Sequence, residues 1–119
     1  MRPEELQKGD LVLVRWTDAS DSKATLEEHA ASPETGCKDW GLFLGVSGTR
    51  HRFIIVGKDV VEGHREWGAT RIPVELVEEI QLLLPREQVA RAIGEVEALG
   101  RRIRLRKHRR GETRDVRVS

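Results

Sequence analysis

Apolar side chains recur at every second position in short runs, and most runs are soon cut off by glycine or proline. A period of two marks a strand with one buried face. The first run, Leu11 to Trp16, follows a Gly9-Asp10 turn and places Val12, Val14 and Trp16 on one face. Leu11, Leu13 and Arg15 take the other face, which becomes wet at Arg15. From Trp40 to Val46, Trp40, Leu42, Leu44 and Val46 share a face, and Gly41, Phe43 and Gly45 share its opposite. Glycines within a strand permit bending or close backbone approach. Ser47-Gly48-Thr49-Arg50 is a tight connection to the run from His51 to Val56, and the pair reads as a hairpin. Gly57-Lys58-Asp59 reads as a turn, Val60-Val61 as a strand piece, Glu62 to Glu66 as an exposed turn, and Trp67 to Ile72 as a strand ended by Pro73. One helical turn is expected within Pro73 to Glu79, and Ile80 to Leu84 should return as a closing strand. Val12, Val14, Leu42 and Leu44 are expected in one core.

Residues 17–39 break this pattern. They are rich in Asp, Ser, Thr, Glu and Ala, and read as a long loop or as a short helix around Lys23 to Ala30 capped by Ser22. Pro85 then opens a helix in which Val89, Ala92, Ile93, Val96 and Leu99 fall on one stripe, with Gly100 as its stop. Gly94 lowers helix propensity by about 1 kcal/mol and is expected at a close contact. Val89, Ile93 and Val96 should face the strands or a second copy, so a homo-oligomer is expected. Beyond Gly100 two readings stand. Ile103 and Leu105 alternate with arginines, as Val116 and Val118 flank Arg117, which suits a basic hairpin connected at Arg109 to Glu112. Four apolar side chains are also few enough for a disordered tail.

The series Gly9 to Trp16, a long polar loop, Trp40-Gly41 to Val46, a hairpin, and Ile72-Pro73-Val74 resembles the small SH3-like barrels. The resemblance covers residues 9–84 and is one of pattern. It implies a mainly β fold: a small antiparallel barrel of about five strands, the 17–39 loop between the first two, a C-terminal helix over 85–100, and a basic extension over 101–119. Members of this group bind peptides, nucleic acid or one another. The polyproline-binding kind relies on exposed tyrosines, and this chain has none.

Charge suggests which use to expect. The chain is nearly neutral at +1, yet nine of its 21 Lys/Arg and two of its 20 Asp/Glu fall in residues 101–119. That leaves +7 on the extension and −6 on the body. Arginine forks fit phosphate oxygens, and clustered cations gain affinity by releasing counterions. Arg101, Arg102, Arg104, Arg106, Lys107, Arg109, Arg110, Arg114 and Arg117 are therefore candidates to bind DNA, RNA or an acidic protein surface. The first expectation is a non-enzymatic adaptor that binds nucleic acid with little sequence preference. Its rivals are a structural or assembly protein, such as a viral or complex component, whose tail meets an acidic surface, and a hydrolase with a site built from loop 17–39.

Trp16, Trp40 and Trp67 suit a small core, with Trp67, beside Arg65 and Glu66, the candidate for stacking on a base. His29, His51, His64 and His108 are scattered around a single Cys37, with no metal-ligand spacing and no local nucleophile set. No metal, cofactor or disulfide is expected. No apolar run approaches the ~20 residues of a membrane-spanning helix, and the first residues lack an apolar signal segment. A cytoplasmic protein is expected.

Overall fold

The computed structural model describes residues 1–18, 35–62, 66–99, 102–106 and 113–117. The expected loop helix near Lys23 to Ala30, Gly100, and the connection at Arg109 to Glu112 lie outside them. The alternating runs become strands β1 (Leu11–Asp18), β2 (Thr35–Ser47), β3 (Phe53–Val61), β4 (Glu66–Pro73) and β5 (Val77–Leu84), followed by β6 (Arg102–Arg106) and β7 (Thr113–Arg117). One α-helix, α1 (Arg86–Ala92), and 3-10 turns at Pro3–Glu5, Val74–Leu76 and Gly94–Ala98 complete the described chain.

Among the described residues the fold is mainly β with a single C-terminal helix, but the sheet does not close. The seven described strands form one sheet in the order β5-β1-β2-β3-β4-β6-β7. A closed barrel has no end strands, and this sheet ends at β5 and β7. The cause lies at β4, whose outer edge takes β6 as a parallel neighbour, Glu66 beside Arg104 and Trp67 beside Leu105. That edge extends the sheet, and the other ladders are antiparallel. The SH3-like barrel is thus replaced by an open, mixed sheet.

The single expected core is likewise two. Successive strand residues point to opposite faces, and here both faces are covered. Val12 and Val14 lie in one buried cluster with Phe43, Val46, Ile54 and Ile80. Leu42 and Leu44 lie in the other, with Ile55, Trp67 and the C-terminal side chains Val89, Val96, Leu99, Ile103 and Leu105. A register slip between Phe43 and Gly45 turns Val46 away from the face of Leu42 and Leu44. The slip explains why Val46 leaves the face that simple alternation assigned to it.

Two further local expectations change. β3 runs through Gly57-Lys58-Asp59 without a turn. A Cβ at Gly57 would stand 2.8 Å from Cε3 of Trp67 and 3.0 Å from Cδ1 of Leu44, so this glycine admits a ring. The helix expected over 85–100 ends at Ala92; Ile93 is extended, and a 3-10 turn follows. A Cβ on Gly94 would meet nothing within 4 Å, so low helix propensity, and no close contact, accompanies the break.

Asp10 fastens this C-terminal layer to the start of the sheet. It is 5% exposed. Its carboxylate accepts the backbone N–H of Gln7 at 2.7 Å and that of Arg86 at 2.8 Å. Its carbonyl accepts the Phe43 N–H at 2.8 Å.

Candidate functional site

The basic extension was the leading candidate, and its described part is built into the sheet. Arg102, Arg104 and Arg106 stand in β6 and Arg114 and Arg117 in β7, with Arg104 in register with Asp115. Arg101, Lys107, Arg109 and Arg110 lie outside the described residues. Arg106 spends its charge within the chain, with Nη2 2.9 Å from Asp59 and Nε 3.4 Å from Glu66. Ile103 and Leu105 are buried on the body. The picture of a free, phosphate-seeking tail on a barrel is therefore corrected. The assembly reading drew on the same tail and loses the same support. The hydrolase site expected from loop 17–39 lies mostly outside the described residues, and among the described residues no group of three or more His, Cys, Asp or Glu could hold a metal ion.

Val89 and Val96 are buried against the sheet, while Ile93 stays exposed. Trp67, the residue chosen for stacking, is 2% exposed; the tryptophan at the surface is Trp40, at 62%. Trp40 belongs to the same face as Leu42, but the C-terminal layer that buries Leu42 leaves Trp40 exposed. What remains is an open groove of about 430 Å³, bounded by Leu11, Trp40, Leu42, Trp67 and Ile93. Gly57 lies in its lining and brings no side chain to fill it. Gly41 holds β2 close to β3, since a Cβ there would run into the Gly57 carbonyl oxygen.

The exposed indole is held from below. Lys58 Nζ lies 5.6 Å from the centroid of the Trp40 ring and donates to the Trp40 carbonyl. The same Nζ is 3.2 Å from Asp39 Oδ1. Asp39 Oδ2 accepts the Trp16 indole N–H at 2.8 Å. The chain from Trp16 through Asp39 to Lys58 thus fixes the cation beneath the ring, a contact worth about 0.5–1 kcal/mol at an exposed site. The two charges on the groove rim, Lys58 and Asp59, are paired with Asp39 and Arg106. The groove therefore presents an apolar surface with little uncompensated charge.

A second opening of about 410 Å³ lies between the first 3-10 turn and the sheet, with Phe43 and Val46 at its base and Lys8, Arg52 and Glu4 around it. Burial lowers the Lys8 pKa from its usual value. Arg52 and Glu4 are 3.7 Å apart.

Alternation along β2 assigned Trp40 to a buried face. Its exposure depends on what the C-terminal layer covers, which the period of the sequence does not encode. The signal that could have located the groove is the pair Gly41 and Gly57, glycines inside strands. Comparison with family models, curated proteins and solved structures finds no match to this chain.

Proposed function

We propose that this chain is a protein-binding domain without catalytic activity, and that the groove beside Trp40 receives a neutral, apolar anchor side chain from a partner polypeptide. The observation that carries the reading is a 62%-exposed tryptophan, clamped by Lys58 and Asp39 beside an unfilled groove. Interfaces draw most of their energy from a few aromatic residues next to well-packed pockets. A preset ring forfeits less entropy on binding than a mobile one. The compensated rim charges favour a neutral occupant over an ion. A cytoplasmic setting accords with a lone Cys37, which offers no internal disulfide. No helix among the described residues is long and apolar enough to cross a membrane.

Selection of a random peptide display library on the full chain tests the proposal. Enriched peptides should share a large apolar residue, and Trp40→Ala should weaken them by about tenfold or more while leaving circular dichroism unchanged. Failure to enrich peptides, or equal binding to folded Trp40→Ala, would overturn the groove as the binding site.

A further inference from the structure

The opening beneath the N-terminal turn lies on the face of the sheet opposite the Trp40 groove. Its base is Phe43 and Val46, which belong to the buried cluster of Val12 and Val14. Leu42, in the groove, belongs to the other cluster. The turn Pro3–Glu5 forms a wall of the opening, and Leu6 ties that wall to the buried cluster. Backbone bonds place the cations beside it. The Gln7 N–H donates to the Asp10 carboxylate at 2.7 Å, and the Gly9 N–H donates to the Phe43 carbonyl at 2.8 Å, so Lys8 sits between two fixed neighbours. Arg52 is fixed likewise, its carbonyl accepting the Val74 N–H at 3.0 Å. The result is an apolar floor under a charged rim, which is the make-up of small-molecule sites. Its volume of about 410 Å³ falls within their range of roughly 300–1,000 Å³.

We propose that this opening binds a small organic acid, with its carboxylate taken by Lys8 and Arg52 and its apolar body on Phe43 and Val46. Charge selects the class of ligand. Among the described lining residues two cations, Lys8 and Arg52, face one carboxylate, Glu4, so the rim is positive. Burial lowers the Lys8 pKa, and a cation that has lost water gains more from an anion than one in solvent. The chain already presents a carboxylate to Arg52, since Glu4 Oε1 lies 3.7 Å from its Nη2. That pair is long and partly exposed, at 44% and 60% for the two side chains, and such a pair contributes little. A ligand carboxylate therefore competes with Glu4 and can form the closer, two-pronged contact that a guanidinium favours. The apolar floor requires a carbon body behind the charge, which inorganic anions lack. The site shares no residue with the groove and does not depend on the peptide-binding reading.

An NMR titration of the full chain's backbone amides at constant ionic strength tests the inference, with hexanoate, hexanol, hexylamine and acetylleucine as probes. Hexanoate should shift the Gly9, Phe43 and Val46 amides saturably. Hexanol keeps the apolar body without the charge and should bind at least about tenfold more weakly. Hexylamine should not saturate. Arg52→Gln and Lys8→Gln should each weaken hexanoate by about fivefold. Glu4→Gln should tighten it, because the competing carboxylate is gone, and Trp40→Ala should leave it unchanged. Should Lys8→Gln fail to fold, Glu4→Gln decides, since the Glu4 side chain is 60% exposed and outside the core. Shifts that never saturate, equal binding of hexanol and hexanoate, or a Glu4→Gln variant that binds no tighter would overturn the proposal. Loss of hexanoate binding in Trp40→Ala would place the probe in the groove and overturn it as well. Tighter binding of acetylleucine, which ends as a polypeptide does, would assign the opening to a chain terminus and overturn the small-molecule site.

Discussion

Gly57 and Gly94 are both glycines inside apparent elements, and their surroundings give them opposite meanings. At Gly57 a methyl group would press on the Trp67 ring and Leu44. Gly57→Ala should cost about 1–3 kcal/mol, as overpacking does, read as a lower urea midpoint with an unchanged slope. At Gly94 a Cβ meets open space and φ is not positive. Gly94→Ala should therefore stabilise by about 0.4–1 kcal/mol through the unfolded chain, measured the same way. Asp10 is a third residue whose role follows from its bonds. Replacing it with alanine removes the acceptor for the Gln7 and Arg86 N–H groups. A loss of about 1–3 kcal/mol is expected for polar groups left unsatisfied, and Asp10→Asn should recover part of it.

At the scale of elements, the C-terminal segment is a structural layer. Ile103 and Leu105 are buried against the face that holds Trp67. The sequence permitted a tail that could be removed from an intact barrel; the sheet does not. Fully burying such a side chain contributes about 1.5–3 kcal/mol, so ending the chain at residue 101 should lower stability by roughly 3–6 kcal/mol, the contribution of two such residues. Thermal unfolding followed by tryptophan fluorescence checks this, because the truncation uncovers Trp67. An unchanged midpoint would show that β6 contributes nothing to the core.

Over the whole molecule, an acidic body and a basic end meet within one chain. Arg106 joins β6 to Asp59 on β3 and Glu66 on β4. Both pairs are partly exposed, so their contribution is about 0.2–1 kcal/mol each and screened by salt. Arg106→Gln should lower the urea midpoint slightly at low ionic strength, and the difference from the natural chain should shrink in about 1 M salt, where the screening length falls to about 3 Å. A difference that salt leaves intact would mean that packing of the arginine stem, rather than charge, holds β6 in place.

The sequence alone determined the elements whose information is local. Alternation at Leu11 to Trp16, Trp40 to Val46 and Trp67 to Ile72 specifies strands, Pro85 opens a helix, and Val74 to Leu76 falls where a short turn was expected. The two faces of β1 were legible because its ladder to β2 runs without a slip through Val12, Val14 and Trp16. Tertiary structure decided whatever depends on a partner segment. Whether β4 helps close a barrel or receives β6 turns on a contact between residues 66–67 and 104–105, and no local pattern records it. The slip at Gly45 separates Val46 from Leu44, and the C-terminal layer buries Leu42 but leaves Trp40 bare. The candidate site was hidden for the same physical reason: a groove is surface left uncovered, and uncovered surface is fixed by where the covering element stops.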